Sequence, residues 1–479
     1  MEFFGREDEI RDLMTLWMKR NGSLVTCRGR RRIGKSTLID VFASKSKARF
    51  IKIEGARPRP GCTNETELAV FAEQLSAATG VDDSVPSSWL KAFIRLDREI
   101  RDDERTVVLL DEISWLGHYD LTFADMLKIA WDNHWSKHDR LVVVVCGSVS
   151  SWIKEQFVDN GAFFGRRSLD LVVRELPLRE CVKFWGRSAK RIAPREIIDI
   201  LSVTGGVPRY LSEIKPGLSA AENLRMMAFS PNAILRIDFD EMFSDVITRL
   251  QTLSGAILRA LVTGPLSVSE LSEVLSIGKG GKISDAVRQL EEAGLVSSDG
   301  GKNPETGDDL REKRYRISDN YSRFYLKYIE REKSVIDKGT YAFVSLEAMD
   351  EWDSVMGLQF ENLVLNHYPA LIDPLHLGNA LIESVAPYRR ARKADGRKGL
   401  QIDILLQTKR NNYVIELKRQ RQIGREVISE VEEKIAKLST PRDKSARPVL
   451  VYDGELAPSV ETEGFFDSII SFRSLLGIS

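Results

Sequence analysis

The stretch Gly29-Arg30-Arg31-Arg32-Ile33-Gly34-Lys35-Ser36 fits the pattern GxxxxGK[ST] and constrains this chain more than any other feature. It stands between an apolar run at residues 24–27 and a helical pattern that opens at Thr37. A strand, a glycine-rich loop and a helix start in that order wrap a phosphate. The glycines let the backbone turn closely, and the helix supplies unpaired N–H donors at the positive end of its dipole. Residues 29–37 are therefore expected to contact a nucleotide, with Lys35 on the β- and γ-phosphates and the Ser36 hydroxyl on Mg²⁺. ATP and Mg²⁺ are the cofactors this implies.

A phosphate loop needs an acidic partner at a neighbouring strand tip. Thr106-Val107-Val108-Leu109-Leu110-Asp111-Glu112 supplies one, an apolar strand ending in two carboxylates. Asp111 is expected to hold Mg²⁺ through water, and Glu112 to polarise the attacking water as a general base. The next apolar strand, residues 141–146, runs into Gly147-Ser148 and so places Ser148 beside the nucleotide. Arg166 and Arg167, after a loop of small residues, could present a guanidinium to the γ-phosphate. Arg209, in Gly205-Gly206-Val207-Pro208-Arg209-Tyr210, could do the same from a helical region.

The surrounding pattern gives these residues a scaffold. Short runs rich in Val, Ile and Leu at 23–27, 50–53, 106–110, 141–146 and 169–173 read as parallel strands buried on both faces. Helical patterns at 37–44, 68–79 and 89–101 alternate with them, which argues for an open α/β sheet. At 479 residues the chain is too long for one compact domain, at roughly one domain per ~150 residues. Helices dominate from 178 to 243, and the charged stretch at 331–338 reads as a linker. Residues 1–177 are thus expected to form the ATPase core, 178–245 a helical lid, 246–330 a third module, 331–350 a linker and 351–479 a last domain.

Phe4-Gly5-Arg6-Glu7-Asp8-Glu9, the phosphate loop, LLDEI, CGS, FFGRR and GGVPRYL follow one another in that order. Together they resemble the prokaryotic AAA+-type ATPases of the archaeal-ATPase group, which are related to the signal-transducing STAND ATPases. The resemblance covers about residues 1–330 and implies an AAA+/ASCE P-loop fold with a helical lid. It also implies that Phe4, Gly5 and Arg6 lie near the adenine.

Within 246–330, residues 257–262, 266–271 and 282–294 read as three short helices. Ser269 is the expected N-cap of the second, and Gly278, Gly280 and Gly281 form the turn. Ile283, Val287 and Leu290 give the third an apolar stripe that stops at Gly294. Segments 295–296 and 313–317 could make a wing. This resembles a winged helix, whose third helix enters the major groove when it binds DNA. Lys279, Lys282 and Arg288 are the cations available there, against Glu291 and Glu292.

Lys plus Arg and Asp plus Glu both total 70, so the chain is neutral and no uniformly basic binder. Residues 388–425 break that balance. Arg389, Arg390, Arg392, Lys393, Arg397, Lys398, Lys409, Arg410, Lys418, Arg419, Arg421 and Arg425 face only Asp395, Asp403 and Glu416. Such a surplus suits a polyanion, most readily the phosphates of DNA, although a merely solvated basic face stays open. Inside it, Ile402-Asp403-Ile404-Leu405 and Val414-Ile415-Glu416-Leu417-Lys418 are apolar strands carrying isolated charges. Glu416 and Lys418 share a strand face. If the strands pair, Asp403 and Glu416 can converge on one Mg²⁺, with Lys418 near a scissile phosphate. Together with a helix that opens at Trp352 and carries Glu361, the layout resembles the PD-(D/E)xK nuclease-like domain found at the C-terminus of many archaeal-type ATPases. Glu361 matches the helical glutamate of that restriction-endonuclease-like fold. The proline of its name is absent, since Ile402 precedes Asp403.

Four scattered cysteines exclude a disulfide framework. His134 and His138 are spaced to share a helix face, but are expected as ordinary surface or core residues rather than a zinc site. An acidic start and the lack of a ~20-residue apolar run point to a soluble cytoplasmic protein without a membrane partner. Three readings remain: an ATP-controlled DNA endonuclease, a nucleotide-dependent DNA-binding switch with an inactive nuclease-like domain, and a protein-handling ATPase. A homo-oligomer would best explain an arginine offered to a nucleotide.

Overall fold

A computed structural model describes residues 3–148, 150–278, 281–339, 341, 345–390 and 399–478. It divides into two compact units, Met1–Glu175 and Leu176–Ser479.

The first unit is built on a five-stranded sheet of β1 (Ser23–Arg28), β2 (Arg49–Glu54), β3 (Thr106–Asp111), β4 (Leu141–Gly147) and β5 (Arg167–Val172). Every pairing is parallel, in the order β2-β3-β4-β1-β5. Every residue of β3 and β4 is buried, which is why those runs carry no polar alternation. Helices Lys35–Lys45, Asn64–Thr79, Trp89–Arg98 and Phe123–Asn133 accompany the strands. Phe71, Trp89, Phe93, Phe123 and Trp135 form a chain of edge-to-face and tilted rings in the core. The insertion of β4 between β1 and β3 fixes the site, because the carboxyl ends of all three strands open at one edge.

His138 joins two stretches of this unit, with Nδ1 2.6 Å from Asp102 and Nε2 3.0 Å from Asp97. His134 approaches the same Asp97 at 3.4 Å. The histidines thus have a structural use that spacing alone did not show. Among the described residues, no group of three His, Cys, Asp or Glu side chains is placed to hold a metal ion.

The second unit begins with helices, among them Pro194–Thr204, Ala220–Ala228 and Ile234–Leu261. Short strands β6 (Leu266–Ser267), β7 (Val296–Ser298) and β8 (Arg314–Ile317) then form an antiparallel sheet in the order β6-β8-β7. The helix Gly281–Glu292 buries Ile283, Ala286, Val287 and Leu290 and stops at Gly294, whose φ is +74°. Lys279 and Gly280 lie outside the described residues. The N-cap of the helix Val268–Val274 is Ser267, not Ser269. Ser267 and Glu270 form a reciprocal capping box, while the Ser269 hydroxyl turns to Ser267 and Glu312. The charged stretch read as a linker also differs, since it folds into a helix, Lys333–Asp337, that buries Ile336.

The chain ends in a sheet of β9 (Ile382–Arg390), β10 (Leu400–Thr408), β11 (Asn411–Ile423), β12 (Ser445–Leu456) and β13 (Ser468–Ser471), ordered β13-β12-β11-β10-β9. The β9–β10 and β10–β11 pairs are antiparallel, and β11–β12 and β12–β13 are parallel. β9 and β13 are not among the runs that the sequence marks as strands. The helix Glu426–Lys437 packs Val427, Ile428 and Val431 on Ile402, Leu405 and Val414. The helix Trp352–Asn366 also contacts β11. No helix among the described residues is long and apolar enough to cross a membrane.

Burial would lower the His138 pKa, but Asp102 and Asp97 outweigh it and hold the imidazolium above its usual range. A raised folded pKa adds stability that is fully present below the unfolded value near ~6.5 and is lost as pH rises through the folded one. The melting-temperature gap between parent and His138→Gln should therefore shrink from pH 6 toward pH 8. A gap that widens toward alkaline pH would remove this ion pair from the account.

Candidate functional site

The phosphate loop leaves β1 at Arg28 and enters the helix at Lys35. Two glycines make that path possible. A Cβ on Gly29, at φ +152°, would stand 2.3 Å from the Val173 carbonyl oxygen, and Gly34 caps the helix at φ +87°. Arg32 also takes a left-handed φ of +68°. Arg6, nearly buried, donates to the Ile33 carbonyl at 3.2 Å and the Arg174 carbonyl at 2.6 Å. It clamps the loop from behind, a bracing use that its expected place near the adenine did not foresee. Arg31 leans on the Trp115 ring, 6.0 Å from its centroid.

Five of the expected residues gather at the strand tips. The Ser36 hydroxyl donates to Asp111 Oδ2 at 2.6 Å. Lys35 Nζ donates to the loop carbonyls of Gly29 and Arg30, at 3.0 and 3.1 Å. Ser148 gives Glu112 Oε2 two hydrogen bonds, from its N–H at 3.2 Å and its hydroxyl at 2.9 Å. Glu112 itself sits at φ 45°, ψ 48°, a left-handed conformation costing on the order of 1–3 kcal/mol for a residue with a side chain. Burial raises its pKa, against the nearby Lys35 charge and the Ser148 bonds. Sequence reasoning missed Lys52, whose ammonium stands 3.4 Å from Asp111 Oδ2 and 3.0 Å from Glu54. No motif marks it, since it follows only from β2 lying beside β3.

The expected arginines have other partners. Arg166 is held by both oxygens of Asp132, at 2.6 and 3.0 Å, and Arg167 donates to the Val158 carbonyl at 3.2 Å. Arg209 pairs with Glu213, four residues on and just past the end of the helix Pro208–Leu211. Phe4 and Gly5 precede the helix Glu7–Thr15, with Gly5 at φ +70°.

Residues 3–214 match a family described as an ATPase domain predominantly from Archaea. The chain carries an archaeal-type AAA+ ATPase domain. Residues 256–298 match a second family, bacterial regulatory proteins of the arsR type, so a helix-turn-helix module accompanies that domain. The uncharacterized protein MJECL04 of Methanocaldococcus jannaschii is 22% identical over 364 residues, covering 75% of this chain and 76% of its own. The Walker-type ATPase PABY2304 of Pyrococcus abyssi is 18% identical with a TM-score of 0.51, over 68% of this chain and 96% of its own. At that identity the likeness is one of fold.

Beyond the ATPase domain, the structure gathers the expected C-terminal charges. The β10–β11 ladder ends at Ile404 opposite Ile415, and beyond it the Leu417 N–H donates to Asp403 Oδ2 at 2.9 Å. Glu416, 3% exposed, takes Lys418 at 3.0 Å and, on its other oxygen, Lys434 from the helix Glu426–Lys437. Lys418 also pairs with Glu430. Burial and the Glu416 charge push Asp403 up to about 6, and burial and the Asp403 charge push Glu361 up to about 7. Glu361, Asp403, Arg316, Arg323 and Arg389 line one cavity. Arg323 is fully buried there, and burial together with Arg316 lowers its pKa to about 10.

Among the described residues, the basic surplus does not make one continuous face. Arg392, Lys393, Asp395, Arg397 and Lys398 lie outside the described residues. Arg419 is buried in ion pairs, Arg425 pairs with Glu463, and Arg390 donates to the Lys437 carbonyl at 2.8 Å. Arg389, Lys409, Arg410 and Arg421 are exposed, but Lys409 and Arg410 stand at the β10–β11 turn, away from Asp403. Charge counted along a sequence was spent partly on the protein's own carboxylates.

Removing one partner of a buried charge pair leaves the other uncompensated. Lys434→Met should therefore lower the unfolding free energy by about 1–3 kcal/mol in denaturant melts, and adding Glu416→Gln should recover part of that. Strictly additive losses would mean that Lys434 and Glu416 do not interact.

Proposed function

We propose that the protein is an ATP-driven DNA-binding switch. In this reading the ATPase domain sets the state, the helix-turn-helix module contacts DNA, and the C-terminal sheet is a nuclease-like domain kept for binding. The observation that carries it is the compensation of the C-terminal carboxylates by the protein's own cations. Glu416 has Lys418 and Lys434, and the charges of Arg323 and Arg389 act on Glu361. Asp403 is occupied by a backbone N–H. A divalent cation would have to displace these partners, two of them ammonium groups.

At the nucleotide, Ser36 and Asp111 suit Mg²⁺, since a hydroxyl and a carboxylate already meet at 2.6 Å beside the loop. The ion would neutralise phosphate charge as it develops. Lys35 would exchange its loop carbonyls for phosphate oxygens, and Glu112, oriented by Ser148, would take the proton of the attacking water. Thr37 and residues 29–34 line the loop and helix start that would receive the phosphates, Phe4 and Gly5 are assigned to the adenine, and Ser148 is a positioning residue. Arg166 or Arg167 could serve a neighbouring subunit once released from Asp132 or Val158. Arg209 would likewise have to leave Glu213.

DNA contact falls to the exposed face of the helix Gly281–Glu292, where Lys282 and Arg288 stand free of the core. So few phosphate contacts imply a shallow salt dependence, with log K falling by about 0.9 per contact for each log unit of salt.

A second reading, a metal-dependent endonuclease, draws support from the mutual repulsion of Glu361, Asp403 and Glu416, which a cation would relieve. In it Asp403 and Glu416 would hold Mg²⁺ beside Lys418, with Glu361 completing the site.

Lys35→Ala should abolish ATP binding in a calorimetric titration, while Glu112→Gln should bind ATP and fail to turn it over. Equal turnover by Glu112→Gln and parent would take Glu112 out of its assigned role. Incubation of duplex, single-stranded and branched DNA with Mg²⁺ or Mn²⁺ separates the two readings. The switch leaves every substrate intact; cleavage abolished by Glu416→Ala would establish the endonuclease instead.

A further inference from the structure

The helix Pro194–Thr204 lies within the ATPase family match, yet its side chains are tied to the C-terminal domain. Asp199 on that helix pairs with Arg419 of β11, the residue directly after Lys418. Arg419 is 6% exposed, and its Nε also stands 3.9 Å from Asp453 of β12, which Arg195 approaches at 3.9 Å from the same lid helix. Two partly exposed residues of one helix thus meet two largely buried charges on two strands of the terminal sheet. A second set of contacts reaches the same helix. Asn320 donates to the Ser202 carbonyl at 2.8 Å and the Gln359 carbonyl at 3.1 Å, and Gln359 returns a bond to the Asn320 carbonyl at 2.7 Å. Gln359 is two residues before Glu361 on the helix Trp352–Asn366, which packs against Pro194–Thr204.

The lid helix therefore contacts both elements that carry the acidic cluster, β11 with Glu416 and Lys418, and the helix with Glu361. Arg419, Asn320 and Gln359 are buried at these contacts, and such contacts tolerate little sliding, because a broken pair leaves an uncompensated charge or amide. We propose that Arg419 is a positioning residue that transmits the nucleotide state of the ATPase domain to β11 through Asp199. This rests on the reading that ATP controls the C-terminal domain, and it names the route. Arg419 and Lys418 point to opposite faces of β11. A pull on Arg419 from the lid thus rotates or shifts the strand segment that sets Lys418 and Glu416 against Lys434.

The test uses hydrogen exchange of the full chain with and without a non-hydrolysable ATP analogue, read at residues 194–204 and 414–420. In the parent, the analogue should change exchange in both segments. Asp199→Asn is isosteric, sits on a partly exposed position and leaves the Arg419–Asp453 pair; it should keep the response at 194–204 and lose it at 414–420. Arg419→Gln, which breaks the pair from the strand side, should show the same loss, and Asp199→Glu, which keeps the charge, should restore the response. A response at 414–420 that survives in Asp199→Asn and Arg419→Gln overturns the route, as does a parent in which that segment never responds. Because DNA takes no part, a failure of DNA binding leaves this outcome readable.

Discussion

The hydrogen bond from Ser36 to Asp111, 2.6 Å long, depends on most of what the ATPase domain does with its sequence. Ser36 belongs to the helix after β1 and Asp111 to the end of β3, with β4 between the two strands. The two meet only because parallel strands deliver every carboxyl end to one edge. The loop reaches that edge through Gly29, pressed on the Val173 carbonyl, and is held there by Arg6. The same edge receives Ser148 from β4, which is why Glu112 can be oriented at some backbone strain. The buried aliphatic strands are what make a polar cluster of this kind rigid enough to serve as a site.

The second unit uses charge differently. In the ATPase domain the polar groups gather at an open strand edge. In the C-terminal domain they are largely buried: Glu416 pairs with Lys418 and Lys434, Asp403 accepts the Leu417 N–H, and Glu361 shares a cavity with Arg323 and Arg389. That difference separates a domain fit to bind and release a charged ligand from one whose carboxylates already have partners. Charge also ties the helix Pro194–Thr204 to β11, through the pair of Arg419 and Asp199.

Much of this was legible beforehand, for physical reasons that differ by element. β1, β3 and β4 were readable because strands buried on both faces are largely apolar runs, and the phosphate loop because its geometry restricts its residues. Asp403, Glu416 and Lys418 stood out as charges inside such runs, and the structure brings them together with Glu361. β9 was hidden because Ile382–Arg390 holds a proline, a glutamate and two arginines, as an edge strand can. β13 is only four residues long. Ser267 was readable in principle, as S-x-x-E with Glu270, yet Ser269 was nearer the apolar run. The 331–338 stretch was misread because one buried residue, Ile336, is enough to seat a short charged helix. Lys52, Lys434 and Arg419 were not readable at all, since each acts through a partner distant in sequence. The basic surplus was overcounted for the same reason.

In the proposed switch, nucleotide state changes how this chain holds DNA without cutting it. The most direct measurement is the affinity of Glu112→Gln for a fluorescent DNA duplex with Mg²⁺·ATP, with Mg²⁺·ADP and without nucleotide, at fixed low salt. The switch predicts that ATP shifts the dissociation constant by about 5–150-fold relative to the nucleotide-free state, the usual range of allosteric coupling, with the DNA recovered intact. One affinity across all three conditions, or DNA cut during the titration, would contradict it.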